Sequence, residues 1–525
     1  MAGHVFVVRG DIRKLACDAW LMPCDYKARP GAGWFPCDYS GPCHADSFPD
    51  GQRVQRLPGW PDDSPTPWLV DVGGFEQLDL SWYLNGVREF FDAVHRSASG
   101  PPRFLRAKRL IAMPLIGTGA GGAAERAGEV IHELLPELER QAKQRDVDIA
   151  LVLKNTSSYA AAQAERAGRN TWPDELTPAL QKAAEGLADR AVKGELALFL
   201  GAGVGTAAGL PDWGKMLQDL AVQAGFSDPE CKALTKVRSS LDQATIVERR
   251  LKDRSDTLGA ALQRIFERGR HYALTHALLA ALPIHEVITT NYDQLFEAAW
   301  SNNVPRGISI LPNKMLADTP HWLLKMHGCL SQPDRLVLTR DSYTRYNEYL
   351  PALEGIVQAF LVTRHMLFVG FSLTDDNFHR IVDAVRRMRS EVPGNSRLGT
   401  VLSLGDGGLV ESLWEHDLHR VRMLDQPTGD GFPLPEAARR LEIFLDYLSM
   451  KTRTMAHLLV GRRFDSLLTG GERRLRDSLL TFVTELTTDA DFDSVRQTVA
   501  WPQIEQLLNT LGCSVATNSR QKSAS

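Results

Sequence analysis

The sequence predicts an α/β protein built from an N-terminal α/β/α unit, a central doubly wound parallel sheet and a mostly helical C-terminal region. Three observations carry that prediction. Apolar runs of strand length alternate with amphipathic stretches of helix length up to about residue 154, and again between about 195 and 404. Hydrophobic residues make up 43% of the chain and charged residues 24%, which is ordinary for globular protein. The 525 residues exceed one core, since a domain takes ~100–200 residues.

In the first unit, strands are expected at 4–9, 19–23, 68–72, 109–114 and 148–154, with helices near 81–99 and 123–145. Residues 28–67, rich in Gly, Pro and Asp, form a long irregular excursion between strands. Composition shifts to Ala, Arg and turn residues over 157–178, and Thr177-Pro178 makes a cap and first turn for a helix running to about Lys193. The second unit repeats the alternation with strands at 195–200, 286–290, 322–326, 365–370 and 399–404, which favours a doubly wound parallel sheet. From about 406 the pattern turns helical, including 435–450 and 472–487, and no chemistry is legible there. The expected boundaries are therefore 1–157, 176–405 and 406–513, with a polar, disordered tail at 514–525.

Composition excludes several classes of function. The formal net charge is −4, from 60 basic and 64 acidic residues, so no global field favours nucleic acid or an anionic membrane. The longest apolar runs, 196–200 and 365–371, fall far short of the ~20 residues of a membrane span. The N-terminus enters a strand without a basic segment and apolar stretch, so cytoplasm is the expected compartment. Seven cysteines, an odd number thinly spread, read as reduced thiols. Cys24, Cys37, Cys43 and His44 match no common zinc spacing, and no metal is expected.

Four short blocks in the second unit carry polar groups or glycines at the ends of expected strands. They are Leu-Ala-Leu-Phe-Leu-Gly-Ala-Gly-Val-Gly at 196–205, Thr-Thr-Asn-Tyr-Asp at 289–293, Lys-Met-His-Gly at 325–328 and Phe-Val-Gly-Phe-Ser-Leu-Thr-Asp-Asp-Asn at 368–377. A buried strand ending in Gly201-Ala202-Gly203 lets backbone approach a pyrophosphate, and a following helix can aim free N–H groups at it. Each block alone is ordinary: glycines end many strands for packing, Asn and Asp commonly cap helices, and a histidine after a strand is usually structural. Four together, at the strand ends where open α/β sheets collect ligands, point to one pocket.

In their order, these blocks resemble the sirtuin superfamily over about 200 residues, and specifically its bacterial NAD-consuming branch found in antiphage systems. The run Gly-Ala-Gly-Val-Gly-Thr-Ala-Ala-Gly-Leu-Pro-Asp-Trp at 201–213 is similar to the family's first motif. The resemblance implies that Gly201, Ala202 and Gly203 touch the diphosphate, with Trp213 in the same cofactor-binding motif. It further implies that Asn291 and Asp293 line the nicotinamide-ribose pocket, that His327 is the general base, and that Gly370 and Ser372 hold phosphate. The family's usual serine and arginine in the first motif are Gly205 and Gly214 here. Paired Cys-x-x-Cys after His327, the zinc module of protein deacylases, is missing, with only Cys329 nearby. These departures disfavour deacylation and leave hydrolysis or transfer of ADP-ribose.

Neutral nicotinamide leaves a charged pyridinium with little acid assistance, so such a pocket needs positioning and a base. In this scheme Asn291 orients the ribose or a water, Asp293 binds the carboxamide, and His327 accepts a proton. Water as acceptor gives ADP-ribose; an internal nucleophile gives a cyclic product.

In the first unit, Val-Val-Arg-Gly-Asp-Ile at 7–12, Cys-Asp-Ala-Trp-Leu at 17–21 and the loop Pro-Leu-Ile-Gly-Thr-Gly-Ala-Gly-Gly at 114–122 resemble a macrodomain over about residues 1–155. Gly117, Gly119, Gly121 and Gly122 free N–H groups for a diphosphate, with Thr118 as a further donor, and Asp11 could accept from an adenine amine. Asp25 stands at the last position of a family run that is here Met-Pro-Cys-Asp. The combined expectation is a sensor joined to an effector: an NAD+ hydrolase of antiphage defence, with NAD as substrate and an ADP-ribose-type nucleotide signal on the N-terminal unit. Assembly as a homo-oligomer and a trigger from phage or a partner enzyme are expected with it. The alternatives are an ADP-ribosyltransferase whose first unit recognises its product, and a scaffold that binds NAD without chemistry.

Overall fold

A computed structural model describes the chain except residues 1, 36–40, 43, 46, 50, 74–78, 120, 170, 268, 346–350, 391–396, 430, 453–457, 489–491 and 512–525. Two sheets organise it. The first contains β1 (Val5–Arg9), β2 (Ala19–Cys24), β3 (Val54–Arg56), β4 (Thr66–Asp71), β5 (Leu110–Pro114) and β6 (Asp148–Leu153) in the order β1-β6-β5-β2-β4-β3. All neighbours are parallel except β3, which runs antiparallel to β4. Helices Leu80–Ser97, Ala127–Arg145 and Thr156–Arg169 cover it.

The expected excursion at 28–67 is therefore only partly irregular: β3 lies inside it, three residues long at the sheet edge, too short for a periodic signal. The boundary expected at 157 also moves. Helix Thr156–Arg169 buries Tyr159, Ala160, Ala161 and Ala162 in the core of the first unit. The alanine-rich composition that looked like a linker is close packing.

The second sheet contains β7 (Leu196–Leu200), β8 (Glu286–Thr289), β9 (Ser309–Leu311), β10 (Trp322–Lys325), β11 (His365–Val369), β12 (Gly399–Ser403) and β13 (Leu418–Arg422). It is parallel throughout, in the order β13-β12-β11-β7-β8-β10-β9. Every residue of β7 is buried, as both-face coverage of a parallel strand demands. From β7 the chain adds β8, runs out to edge strand β9, comes back to insert β10 between β8 and β9, then crosses to lay β11 on the opposite side of β7. That reversal opens a crevice at the carboxyl ends of β7 and β11. Between β7 and β8, helices from Trp213–Gln223 to Leu274–Ala280 form a layer, most of it on its own apolar core around Leu217, Leu220, Val247 and Leu262.

The boundary expected at 405 cuts this sheet, because β13 pairs in register with β12. In that edge strand Leu418 and Val421 are separated by His419 and Arg420, a spacing without strand alternation that hid it among helices. The C-terminal region does not stand as one separate unit. Helix Leu434–Lys451 is buried over most of its length and lies between the two sheets' units. It contributes Arg439 to Asp148 at 2.9 Å, Asp446 to Arg166 at 2.6 Å, and Glu442 to Arg106 at 2.7 Å. Leu458, Leu459, Val460, Phe464 and Leu468 then pack into the core of the N-terminal unit. Among the described residues, no helix is long and apolar enough to cross a membrane.

Candidate active site

Strands β11, β7, β8 and β10 are consecutive neighbours, and each ends in one of the four blocks. Gly370 follows β11, Gly201 follows β7, Asn291 and Asp293 follow β8, and His327 follows β10. Parallel pairing brings those ends to one side of the sheet, around a cavity of about 390 Å³. Ala202, Gly203, Trp213, Asn291, Asp293, His327, Gly370 and Ser372 all line it. Gly201 lies just beneath, fully enclosed. The volume falls within the ~300–1,000 Å³ of small-molecule sites.

The glycines meet at a crossing of two backbones. Gly201 N–H donates to the Val369 carbonyl at 3.0 Å, and Gly203 N–H to the Gly370 carbonyl at 2.9 Å. A Cβ on Gly203 would lie 2.9 Å from the Gly370 Cα. Gly370 has φ +65°, and a Cβ there would lie 2.5 Å from the Val204 nitrogen. Close packing thus fixes these residue types independently of any ligand. Gly370→Ala is expected to destabilise the protein by about 2–5 kcal/mol through left-handed strain plus overpacking, read as a lower denaturation midpoint; an unshifted midpoint would contradict the crossing.

The helix expected to follow the glycine loop does not start there. Two short 3-10 turns, Ala202–Val204 and Thr206–Ala208, intervene, and the first α-helix begins at Trp213, capped by the Asp212 carboxylate on Lys215 N–H at 2.7 Å. Any phosphate contact in this loop comes from local backbone N–H groups rather than a helix terminus. Ser372 is exposed at the rim and bonds Thr374 at 2.7 Å.

Asn291 is held by both ends of its residue. Its backbone N–H donates to Thr289 Oγ1 at 3.0 Å, and its side-chain Nδ2 donates to the Gly201 carbonyl at 3.1 Å. The amide is thereby oriented across β7 and β8. Its Oδ1 is buried without a partner, an acceptor facing no protein donor. Asp293 is 8% exposed and caps the next helix by accepting Leu295 N–H at 2.9 Å.

His327 is 2% exposed, with Nε2 3.3 Å from Asp375 Oδ2. Tyr343 donates its hydroxyl to Asp375 Oδ2 at 2.8 Å and lies 3.4 Å from His327 Nε2. Burial alone would push the Asp375 carboxyl up, but the His327 imidazole beside it, with the Phe378 N–H and the Tyr343 hydroxyl, holds it down at about 2. Burial beside that carboxylate drives the Tyr343 phenol well above its usual range, so it stays a donor. The ionised carboxylate therefore faces the imidazole and would offset a positive charge on it.

Asp375 and Tyr343 were not singled out in the sequence. Asp375 lies inside the fourth block, where an acidic residue before a helix reads as a cap, and it does cap, accepting Phe378 N–H at 2.8 Å. Tyr343 sits on the short helix Arg340–Thr344 and carried no signal at all. Asp375→Asn is expected to lower turnover of the site's substrate about 10- to 100-fold and to move the acid limb of its pH–rate profile, which a purely packing role would leave in place. For stability the sign is fixed by the depressed value: Asp375 contributes above its unfolded pKa of about 3.9, and that contribution is lost as pH falls towards 2.

Behind the site, Lys325 is fully buried and donates to Glu297 Oε1 at 2.7 Å and to the carbonyls of Asp293 and Tyr292. Burial would lower its pKa, but the Glu297 carboxylate keeps it above the ordinary value. This ammonium clamps the turn that carries Asn291 and Asp293 to the strand that carries His327.

Among the described residues, four aspartates, Asp212, Asp293, Asp375 and Asp376, line the cavity, and no Lys or Arg does. Its field favours a cationic group, such as a pyridinium, over an anion. Among the described residues, no group of three His, Cys, Asp or Glu gathers as a metal site. Cys37 and Cys43 lie outside the described residues, and Cys24 is a buried free thiol.

The candidate ligand residues of the N-terminal unit do not line this cavity. Asp11 is 8% exposed, and its carboxylate accepts a bidentate pair from Arg13, including Nε at 2.9 Å. An adenine amine would have to displace that guanidinium. Asp25 accepts from Lys27 and Arg29 N–H, both at 2.9 Å, as a turn cap. In the 117–122 loop, Gly117 and Gly122 have φ of +71° and +84°, and the Tyr83 ring packs beneath Gly117. Thr118 Oγ1 donates to the Leu115 carbonyl at 3.1 Å, Gly121 accepts from the Tyr83 hydroxyl, and Gly119 is exposed with open space above it.

Residues 285–417 match the family model of the SIR2-like domain. The chain is 33% identical over 201 residues to "NAD(+) hydrolase ThsA" of Bacillus cereus (strain MSX-D12), covering 36% of this chain and 40% of that protein. It is 30% identical over 207 residues to "NAD(+) hydrolase ThsA" of Enterococcus faecium, covering 37% and 40%, and 24% identical over 210 residues to "Defense-associated sirtuin 2" of Bacillus subtilis, covering 38% and 20%. The matched stretch thus spans at most about two fifths of the length of these relatives.

Proposed function

We propose that this chain, which carries a SIR2-like domain, is an NAD+ glycohydrolase that depletes NAD in antiphage defence and is regulated by a nucleotide on its N-terminal unit. The observation that carries the enzymatic part is the grouping of Asn291, His327 and Asp375 in an acidic cavity at the switch point of the sheet. Relatives named as NAD(+) hydrolases and as a defence-associated sirtuin support the substrate and the setting.

The bond between nicotinamide nitrogen and ribose C1′ breaks, its electron pair leaving with neutral nicotinamide. The acidic lining holds the pyridinium before cleavage and stabilises the oxocarbenium-like ribose as the bond lengthens. The free Oδ1 of Asn291 accepts from a ribose hydroxyl or from water. Water adds to C1′, His327 takes its proton, and Asp375 offsets the resulting charge. The products are ADP-ribose, nicotinamide and a proton.

For regulation, the contact between units supplies a route. Tyr272 of the central unit accepts from Asp11 N–H and donates to the Asp11 carbonyl, both at 2.9 Å. The same segment continues into helix Leu274–Ala280, whose buried His276 accepts the Ala273 N–H at 3.1 Å. A ligand that displaces Arg13 from Asp11 would move the residue that Tyr272 grips, and any preference for one arrangement would shift the other site.

The test is product analysis by chromatography after incubating the purified chain with NAD, with and without ADP-ribose. Equimolar nicotinamide and ADP-ribose, at a rate altered by ADP-ribose, is the expected result. Label transferred to protein would replace hydrolysis by ADP-ribosyl transfer, and a rate indifferent to nucleotides would remove the regulatory part.

A further inference from the structure

We infer that the N-terminal unit, through Phe104 and Arg106, forms the outer wall of the site that holds the adenosine half of the dinucleotide. The inference rests on the function proposed above. A second cavity of about 640 Å³ lies across the glycine crossing from the first and shares Gly203, Gly370, Phe371 and Ser372 with it. It sits at the carboxyl ends of β11 and β12, the other side of the same switch point. A dinucleotide whose nicotinamide end occupies the acidic cavity has its other half on this side.

The wall of the second cavity holds polar groups just beneath its surface. Among the described residues, three that line it carry buried polar atoms with no hydrogen-bond partner: Arg106 Nε, Trp414 Nε1 and Ser403 Oγ. All three can donate, and a buried donor is more stable paired than unpaired. A side chain turned toward the cavity would bring such a donor to the ring nitrogens, ribose oxygens or phosphate oxygens of an adenosine phosphate. Arg106 is held in place: its side chain is 5% exposed, and both terminal nitrogens bind Glu442 at 2.7 Å. The remaining lining is largely apolar, including Phe104, Val204 and Leu441, as a purine face requires.

The segment that brings Phe104 and Arg106 here is built into place. Phe104 and Leu105 both have left-handed backbones, φ +58° and +54°, a costly conformation for residues with side chains. It is held by Arg103, whose N–H donates to Asp18 at 2.9 Å and whose guanidinium donates to the carbonyls of Ser64 and Asp62, both at 2.7 Å. The Phe104 ring then rests against Gly209 of the glycine loop, where an added Cβ would lie 3.5 Å away. The first unit therefore completes the substrate cleft as well as standing beside it.

Phe104→Ala and, as a milder variant that removes one hydroxyl, Ser403→Ala test this in the full chain, with melting temperature confirming the fold. The readout is kcat/KM for NAD beside that for nicotinamide mononucleotide, which lacks the adenosine half. The expected result is a fall of about tenfold for NAD with turnover of the mononucleotide unchanged. Equal losses on both, or none on either, would overturn the inference. Should the wild type cleave neither compound, the proposed function fails, and hydrogen–deuterium exchange with ADP-ribose decides the inference separately. Protection of 103–107 and 401–407, lost in Phe104→Ala, sustains it; protection confined to 117–122, or none, overturns it.

Discussion

Replacing His327 by alanine is expected to lower NAD turnover by about 10²- to 10⁴-fold, the range that a positioned base contributes. The imidazole is 2% exposed, so little of the loss can come from solvent-side effects. The substitution also strips Asp375 of the partner that holds its carboxyl down, leaving a buried acid with only Tyr343 and the Phe378 N–H. Its pKa is then expected to rise, and the variant should gain stability relative to wild type as pH is lowered towards 4, where a neutral carboxyl no longer opposes burial. Initial rates with NAD and denaturation midpoints at two pH values check both parts. Turnover within a few fold of wild type would remove His327 from the chemistry.

Lys325→Met carries the largest expected effect on stability. Lys325 is fully buried, and its loss leaves Glu297 and two carbonyls without their donor. Breaking one side of such a pair costs about 3–5 kcal/mol. Because the ammonium ties the turn bearing Asn291 and Asp293 to β10, residual folded protein should also turn NAD over poorly. Double replacement, Lys325→Met with Glu297→Leu, should recover much of the stability, since no uncompensated charge remains buried. A single variant as stable as wild type in a denaturant titration would contradict the clamp.

The site was legible in the sequence to the extent that it was made of strand ends. Short apolar runs announced β7, β8, β10 and β11, and a polar or glycine residue immediately after each marked what a parallel sheet would gather on one side. The adjacency of those four strands was not in the pattern; it follows from the reversal of chain direction about β7. Tyr343 reaches His327 from a five-residue helix with no periodicity of its own, and Asp375 looked like the cap that it also is. Glycine signals carried two meanings at once: Gly201, Gly203 and Gly370 are demanded by the backbone crossing itself.

Boundaries were the least legible feature. Edge strand β13 buries Leu418 in the core on one face of the sheet and Val421 in the core on the other, with His419 and Arg420 between, and is short enough to vanish among flanking helices. The helix Thr156–Arg169 reads as a linker because small alanines fill its interface. Helix Leu434–Lys451 joins the units through charged residues, Arg439, Glu442 and Asp446, which a sequence pattern assigns to solvent but which here find buried partners more than 250 positions away.

In the proposed reaction, the acidic cavity at the sheet's switch point splits the nicotinamide–ribose bond. Release of nicotinamide from NAD by the purified full chain, wild type beside Asn291→Ala, tests it most directly. Steady release by the wild type, reduced at least about 100-fold in a variant that still folds, is the predicted result. NAD that raises the melting temperature of the wild type yet is recovered intact would contradict it and identify a binding scaffold instead.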